Sequence, residues 1–215
     1  MARYRVTLEI EAPGHEQAIS VAKRLRKAVS QKGIIVHTHS ADAVDPDGSV
    51  VIYTDGGCWS NGSEHAVGAW AFRIECPKAG IIERAAPYVG TTNNRMEMLA
   101  VIEALERAEI GPPITIFADS QYVIKGCTEW SGGWVRRNWT NAQGEPVKNR
   151  DLWERLLKLF QLHNCKFRHV KGHSGVAGNE RVDELCSIAM SNAHKALLAG
   201  EQVTVDPGCP TRHAP

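Results

Sequence analysis

Composition identifies little in this chain. Its 215 residues carry a formal net charge of only +1, so no whole-molecule field draws it to nucleic acid or to a charged membrane surface. No apolar run approaches the roughly 18 residues that a membrane span requires. The six cysteines, at 58, 76, 127, 165, 186 and 209, are scattered and form no CxxC pair, which argues against a zinc site or a redox motif. No secretory pattern opens the chain, so reduced thiols and a cytoplasmic location are expected. Hydrophobic residues at 43% and charged residues at 23% then describe an ordinary globular protein. Its length suits one medium-sized domain with a small additional module.

Two regions differ in pattern. "YRVTLEI" (4–10) alternates as a half-buried strand. Residues 14–32 switch to helical spacing, with Ala18, Val21, Ala22, Leu25, Ala28 and Val29 on one stripe. No acid occurs among residues 23–32, and Tyr4 is the only aromatic before residue 40. "GIIVHTH" (33–39) completes a β-α-β module over 1–40, too small to bury much core alone. An acidic, turn-rich linker follows at 41–49. From residue 50 the spacing predicts strands at 50–55, 67–75, 80–88, 113–119 and 165–170, with helices at 93–108, 120–128, 149–162 and 179–197. Strands joined first by turns and later by helices imply a mixed sheet in an α/β domain over 50–198. A tail without periodicity occupies 199–215.

Four acids stand out by position. Asp55 and Asp119 end the apolar runs "VVIYTD" and "PITIFAD", the first followed by the expected turn "GGC". Glu97 lies in the first turn of the helix opened by "TTNNRMEM", and Asp183 lies in "NERVDEL". Each has a plain structural explanation. Asp begins turns and caps helices, and an acid in a helix's first turn gains about 0.3–1 kcal/mol from the dipole. As a set they would meet where strand ends and helix starts converge. Carboxylates so gathered repel one another unless cations bind between them, and an all-oxygen donor set suits Mg2+ or Mn2+.

The pieces "YTDGGC", "TTNNRMEM", "FADSQYV", "PVKNRDLWERL" and "KGHSGVAGNERVDEL" resemble ribonuclease H of type 1, in order and spacing, over about residues 49–196. The resemblance implies an RNase H-like fold, a five-stranded mixed sheet with helices on both faces. It implies an endonuclease that hydrolyses the RNA strand of RNA–DNA hybrids with two metal ions, Mg2+ or in its place Mn2+, leaving 5′-phosphate and 3′-hydroxyl ends. Asp55, Glu97, Asp119 and Asp183 would hold the metals, and His173 would assist proton transfer. Gly56, Thr92, Asn93, Asn94, Gln121 and Asn179 would contact substrate. Trp130, Trp134 and Trp139, with Arg136, Arg137 and Lys148, fall where bacterial relatives carry a basic protrusion that grips the DNA strand, with core packing expected of Trp130 at least. One departure is clear: "WSNGSEHAVGAW" replaces the usual glycine- and proline-rich turn after the first strand.

Two other readings are compatible with parts of the pattern. A nuclease or strand-transfer enzyme on the same scaffold would share the acids but not the substrate, and a non-catalytic nucleic-acid module would need neither the full acid set nor His173. A monomer is expected, with dimerisation through the N-terminal module as an alternative. That module has three readings: a hybrid-binding tether, a dimerisation unit, or a packed add-on. Deleting residues 1–45 separates them. A tether predicts weaker hybrid binding and a salt slope shallower by about 0.9 per lost phosphate contact. A dimerisation unit predicts a change of oligomeric state in gel filtration, and an add-on neither effect.

Overall fold

A computed structural model describes residues 49–77, 79–172 and 175–203. The β-α-β module, nearly all of the linker, His173 and the tail beyond 203 lie outside the described residues. Five strands form one sheet: β1 (Val50–Trp59), β2 (Val67–Cys76), β3 (Gly80–Val89), β4 (Ile114–Ala118) and β5 (Cys165–His169). Their order is β3-β2-β1-β4-β5. The first three run antiparallel as a meander, while β4 and β5 lie parallel to β1 and to each other. Short turns suffice within the meander, whereas the parallel pairs need helical crossovers. The expected mixed five-stranded sheet is the one observed.

The helices are α1 (Asn93–Leu105), α2 (Gln121–Lys125), α3 (Ser131–Arg136), α4 (Arg150–Leu162) and α5 (Ala177–Leu198). A single π-helical turn, Gly126–Trp130, joins α2 to α3. The sequence pattern predicts one helix over 120–128 and assigns none to 131–136. The structure instead continues through the Trp/Gly-rich stretch with a widened turn in the middle.

Alternation along the strands shows how the layers are stacked. A Cβ on Gly56 would collide with the backbone of Met96 and Glu97 in α1, and one on Gly57 would sit 2.9 Å from the Met190 methyl of α5. Neighbouring residues of a strand point to opposite faces, so α1 and α5 cover opposite sides of the sheet. On β2 the large Trp70, Phe72 and Ile74 join the core cluster that includes α1, while the intervening Ala69 and Ala71 leave room for α5 to approach.

Two expectations change here. β1 does not stop at Asp55, and "GGC" is not a turn. The strand continues to Trp59, paired with β2 as far as Trp59↔Val67, while its pairing with β4 ends at Tyr53↔Phe117. The glycines serve close helix packing rather than chain reversal. Helix α1 is also not amphipathic in place: every residue from Met96 to Leu105 is buried, because α4 covers the side away from the sheet. Its one deeply buried acid beyond the site, Glu103, is paired with Arg107 at 2.6 Å and Arg155 at 3.1 Å, as a buried charge requires.

The π-helical turn is closely packed. Gly126 lies against the indole of Trp153, and any Cβ there would overlap the ring. Trp153 is fully buried between Tyr122 and Trp134, with ring centroids 5.2 Å from each. Gly126→Ala is expected to lower stability by roughly 1–3 kcal/mol through overpacking, read as a lower urea midpoint at unchanged m-value. An unchanged midpoint would show that the indole can move aside.

Candidate active site

The parallel register of β1 and β4 positions the acids. Two residues past the last pair, Tyr53↔Phe117, come Asp55 and Asp119, level with one another where the two strands part. The rings of Tyr53 and Phe117 stack at 5.0 Å and close the sheet beneath them. Thr92 caps α1, its Oγ1 accepting from the Arg95 N–H at 3.4 Å. Glu97, one turn inside, is thereby carried over the gap. Carboxylate oxygens of Asp55, Glu97 and Asp119 all lie within 4.8 Å of one another. This is the one such grouping among the described residues. Asp183, in the second turn of α5, stands close enough for its charge to act on Asp55 but does not belong to that trio.

Electrostatics show what the arrangement lacks. Burial, then the charges of Asp119 and Asp183, push the Asp55 carboxyl up to about 6. Burial first, then Asp55 and Asp119, hold Glu97 well above the usual carboxylate range. The Gly56 backbone N–H pulls both back only in part, as does the Cys186 thiol at Asp55. Asp119 Oδ1 is buried without a hydrogen-bond partner among the described residues. Converging, mutually repelling oxygens with one acceptor unused are what a divalent cation would complete, so the residues fit the metal that the acid set implies.

The RNase H family model matches residues 47–191. The chain belongs to the RNase H family. It is 48% identical over 137 residues to the ribonuclease HI of Xylella fastidiosa, covering 64% of this chain and 89% of that one. It is 45% identical to a ribonuclease H of Paracidovorax citrulli, over 67% of this chain and 95% of the relative. Among solved structures it is similar to a type 1 RNase H with the type 2 active-site motif. That match has a TM-score of 0.58 at 26% identity and covers 75% of this chain and 88% of the other. The chain is accordingly an enzyme, a ribonuclease H.

Around the acids of this RNase H the other expected residues separate. Thr92 and Asn94 line an open cleft of about 490 Å³ with Asn61, Gly62, Lys148 and Asn149. Asn93 is held by its backbone N–H, which donates to Asn61 Oδ1 at 3.0 Å, so the unusual turn "WSNGS" reaches the cleft by a side chain. Gln121 is exposed at the start of α2, next to Asp119. Gly56 is buried under α1 and has a packing role, not a surface for substrate. Asn179 is buried in the first turn of α5, with Oδ1 unpartnered among the described residues. Gly172 lies close to Asp119: a Cβ there would sit 3.4 Å from Oδ2.

The tryptophans exchange their expected parts. Trp134 is buried between Trp130 and Trp153, whereas Trp130 is 37% exposed. The π-helical turn inserted before α3 changes which face each ring occupies. Trp139 is half-buried under the Arg150 guanidinium, 5.4 Å from its ring centroid, and Arg136 and Arg137 are exposed. Sequence reasoning also missed Asn61, Asn149 and Cys186. Only Cys186 had a readable signal, being three residues after Asp183 on one helical face.

The raised Asp55 carboxyl has a defined linkage. The folded state holds its proton more tightly than the unfolded chain, so the stability it contributes is complete below about pH 4. That contribution is lost as pH rises through about 6, a cost of roughly 2–3 kcal/mol at neutral pH in metal-free protein. Asp55→Asn should therefore melt close to the parent at pH 4 and roughly 5 °C above it at pH 7.5 in chelator. A difference independent of pH would contradict this account.

Proposed function

We propose that this RNase H hydrolyses the RNA strand of RNA–DNA hybrids as an endonuclease, with Asp55, Glu97, Asp119 and Asp183 holding two divalent cations. Convergence of the buried Glu97 with the half-buried Asp55 and Asp119 at the parting of β1 and β4 carries the reading. Mg2+ is the ion proposed, with Mn2+ able to replace it, since both favour oxygen donors. When bound, such ions supply a lowered water pKa and stabilisation of charge at phosphorus. The chain's own groups do the rest. Asp55, Glu97, Asp119 and Asp183 would hold the ions, whose charge would relieve the burial and mutual repulsion that raise the Asp55 and Glu97 carboxyls. His173 takes and returns a proton at its imidazole, whose ordinary pKa near 6.5 suits that exchange. The products are 5′-phosphate and 3′-hydroxyl ends.

Substrate is held by two groups of side chains. Thr92, Asn94, Asn61 and Asn149 present hydroxyl and amide groups beside the Lys148 ammonium, a set suited to backbone phosphate and to the 2′-hydroxyl that distinguishes RNA from DNA. Arg136, Arg137, Trp139 and the exposed edge of Trp130 suit the DNA strand, where cations and aromatic faces combine. Sparse lysine and the acids Glu129 and Glu145 make this a shallow electrostatic grip. A cytoplasmic monomer completes the proposal, and no helix among the described residues is long and apolar enough to cross a membrane.

Labelled hybrid, double-stranded RNA and double-stranded DNA, each with Mg2+, Mn2+ or chelator, test the reading together. Only hybrid should be cut, only with metal, and Asp119→Asn should lower kcat roughly a hundredfold or more. Cleavage in chelator, or an Asp119→Asn enzyme as fast as its parent, would refute it.

A further inference from the structure

Asn149 lies at the edge of the cleft in a conformation that asparagine adopts at some cost. Its φ of 59° and ψ of 32° are left-handed, and it precedes α4 without capping it by a side-chain hydrogen bond. Its amide is occupied otherwise. Nδ2 donates to the Tyr122 hydroxyl at 3.3 Å, and Oδ1 accepts from Arg95 Nη1 at 3.4 Å. Neither contact is short, but both partners are fixed elsewhere. The Tyr122 oxygen also accepts from the buried Trp153 Nε1 at 3.1 Å, and its O–H donates to the Lys148 carbonyl at 3.4 Å. Arg95 is clamped by Asp151 through two parallel bonds of 2.8 and 3.1 Å, the bidentate geometry that restricts a guanidinium most.

Tyr122 and Arg95 thus grip one amide from opposite ends. The first belongs to the helix that follows Asp119, the second to the first turn of the helix that carries Glu97. A residue in a strained conformation persists where its surroundings over-determine it. Lys148 and Asn149 both line the cleft, and the same Tyr122 hydroxyl touches both.

We propose that Tyr122 and Arg95 are positioning residues for substrate binding, acting through Asn149: they hold the 148–149 edge of the cleft in its binding conformation before substrate arrives. The proposal rests on the reading of that cleft as a contact for substrate backbone. A rigid edge spares the ordering cost that a free side chain incurs on binding, so loss of the grip raises KM while leaving kcat almost unchanged.

The test is steady-state cleavage of hybrid by the full chain with Mg2+, comparing the parent, Tyr122→Phe, Asn149→Gly and the double variant. Glycine accepts the left-handed backbone without strain and has no amide to hold. Tyr122→Phe should raise KM about three- to tenfold, the scale of ordering one side chain, with kcat within about twofold. In the Asn149→Gly background the same change should have no further effect. An additive effect, or an unchanged KM in Tyr122→Phe, overturns the proposal. If Asn149→Gly leaves KM unchanged, the cleft itself is not a substrate contact and the reading beneath the proposal fails first. Tyr122→Phe also deprives Trp153 Nε1 of its acceptor, so Arg95→Lys forms a second arm that leaves the buried indole untouched. It keeps a charge for Asp151 but loses the fork, and should raise KM in the parent and not in Asn149→Gly. A rise of equal size in both backgrounds counts against the proposal.

Discussion

Negative charge gathered in a buried place governs this structure. Three carboxylates with oxygens inside 4.8 Å of one another meet a low dielectric in which their repulsion is several times that in water. The strongest charges acting on Asp55 and Glu97 are other acids. Elsewhere the domain pairs its buried and half-buried acids with arginine. Glu83 takes Arg73 and Arg181, and Glu103 takes Arg107 and Arg155, while even the exposed Asp151 takes Arg95. The site is the exception to a rule the rest of the domain keeps, and that exception points to a cation as the missing partner.

The scaffold around the exception is built to bring acids together at close range. Divergence of β1 from β4 after Tyr53 opens the gap, and continued pairing of β1 with β2 keeps Asp55 from swinging away. Gly56 lets the start of α1 lie on the strand itself, which brings Glu97 and the Gly56 N–H within hydrogen-bonding reach. On the other face Cys186 donates to the Ala69 carbonyl at 3.2 Å and also meets Asp55, so α5 bears on the same carboxylate from below. Arg181 ties the start of that helix to β3 through Glu83 at 2.9 Å, near where Asp183 must stand.

Much of this was legible because alternation and helical spacing report burial, and burial orders the strands and helices. The two apolar runs put Asp55 and Asp119 at one level of neighbouring strands, although β1 runs on past Asp55, and Glu97 lies one turn further into its helix than the first turn expected of it. What failed were inferences that need a third dimension. "GGC" reads as a turn because glycine is common in turns, yet here the missing side chains admit two helices on opposite faces. α1 reads as amphipathic from Leu99, Ile102 and Leu105, but its polar side is buried too, since α4 lies over it and arginines neutralise Glu103. The exchange of Trp130 and Trp134 accompanies one widened turn, and a π-helical turn packed on an indole at Gly126 leaves no periodic trace in the chain.

Arg95 had no readable role in the sequence, standing among polar residues of a substrate rim. Its side chain runs to Asp151 and to Asn149 at the cleft's edge, which joins the first turn of α1 to the start of α4. One short segment therefore carries three functions in neighbouring positions. Thr92 caps the helix and lines the cleft, Arg95 braces the cleft's far edge, and Glu97 enters the acid cluster. A rigid-body shift of α1 would move all three together, so the distance between the cleft and the acids is set within a single helical segment. For a reaction that must place one phosphodiester against fixed carboxylates while gripping its neighbours, that coupling removes the freedom most damaging to alignment.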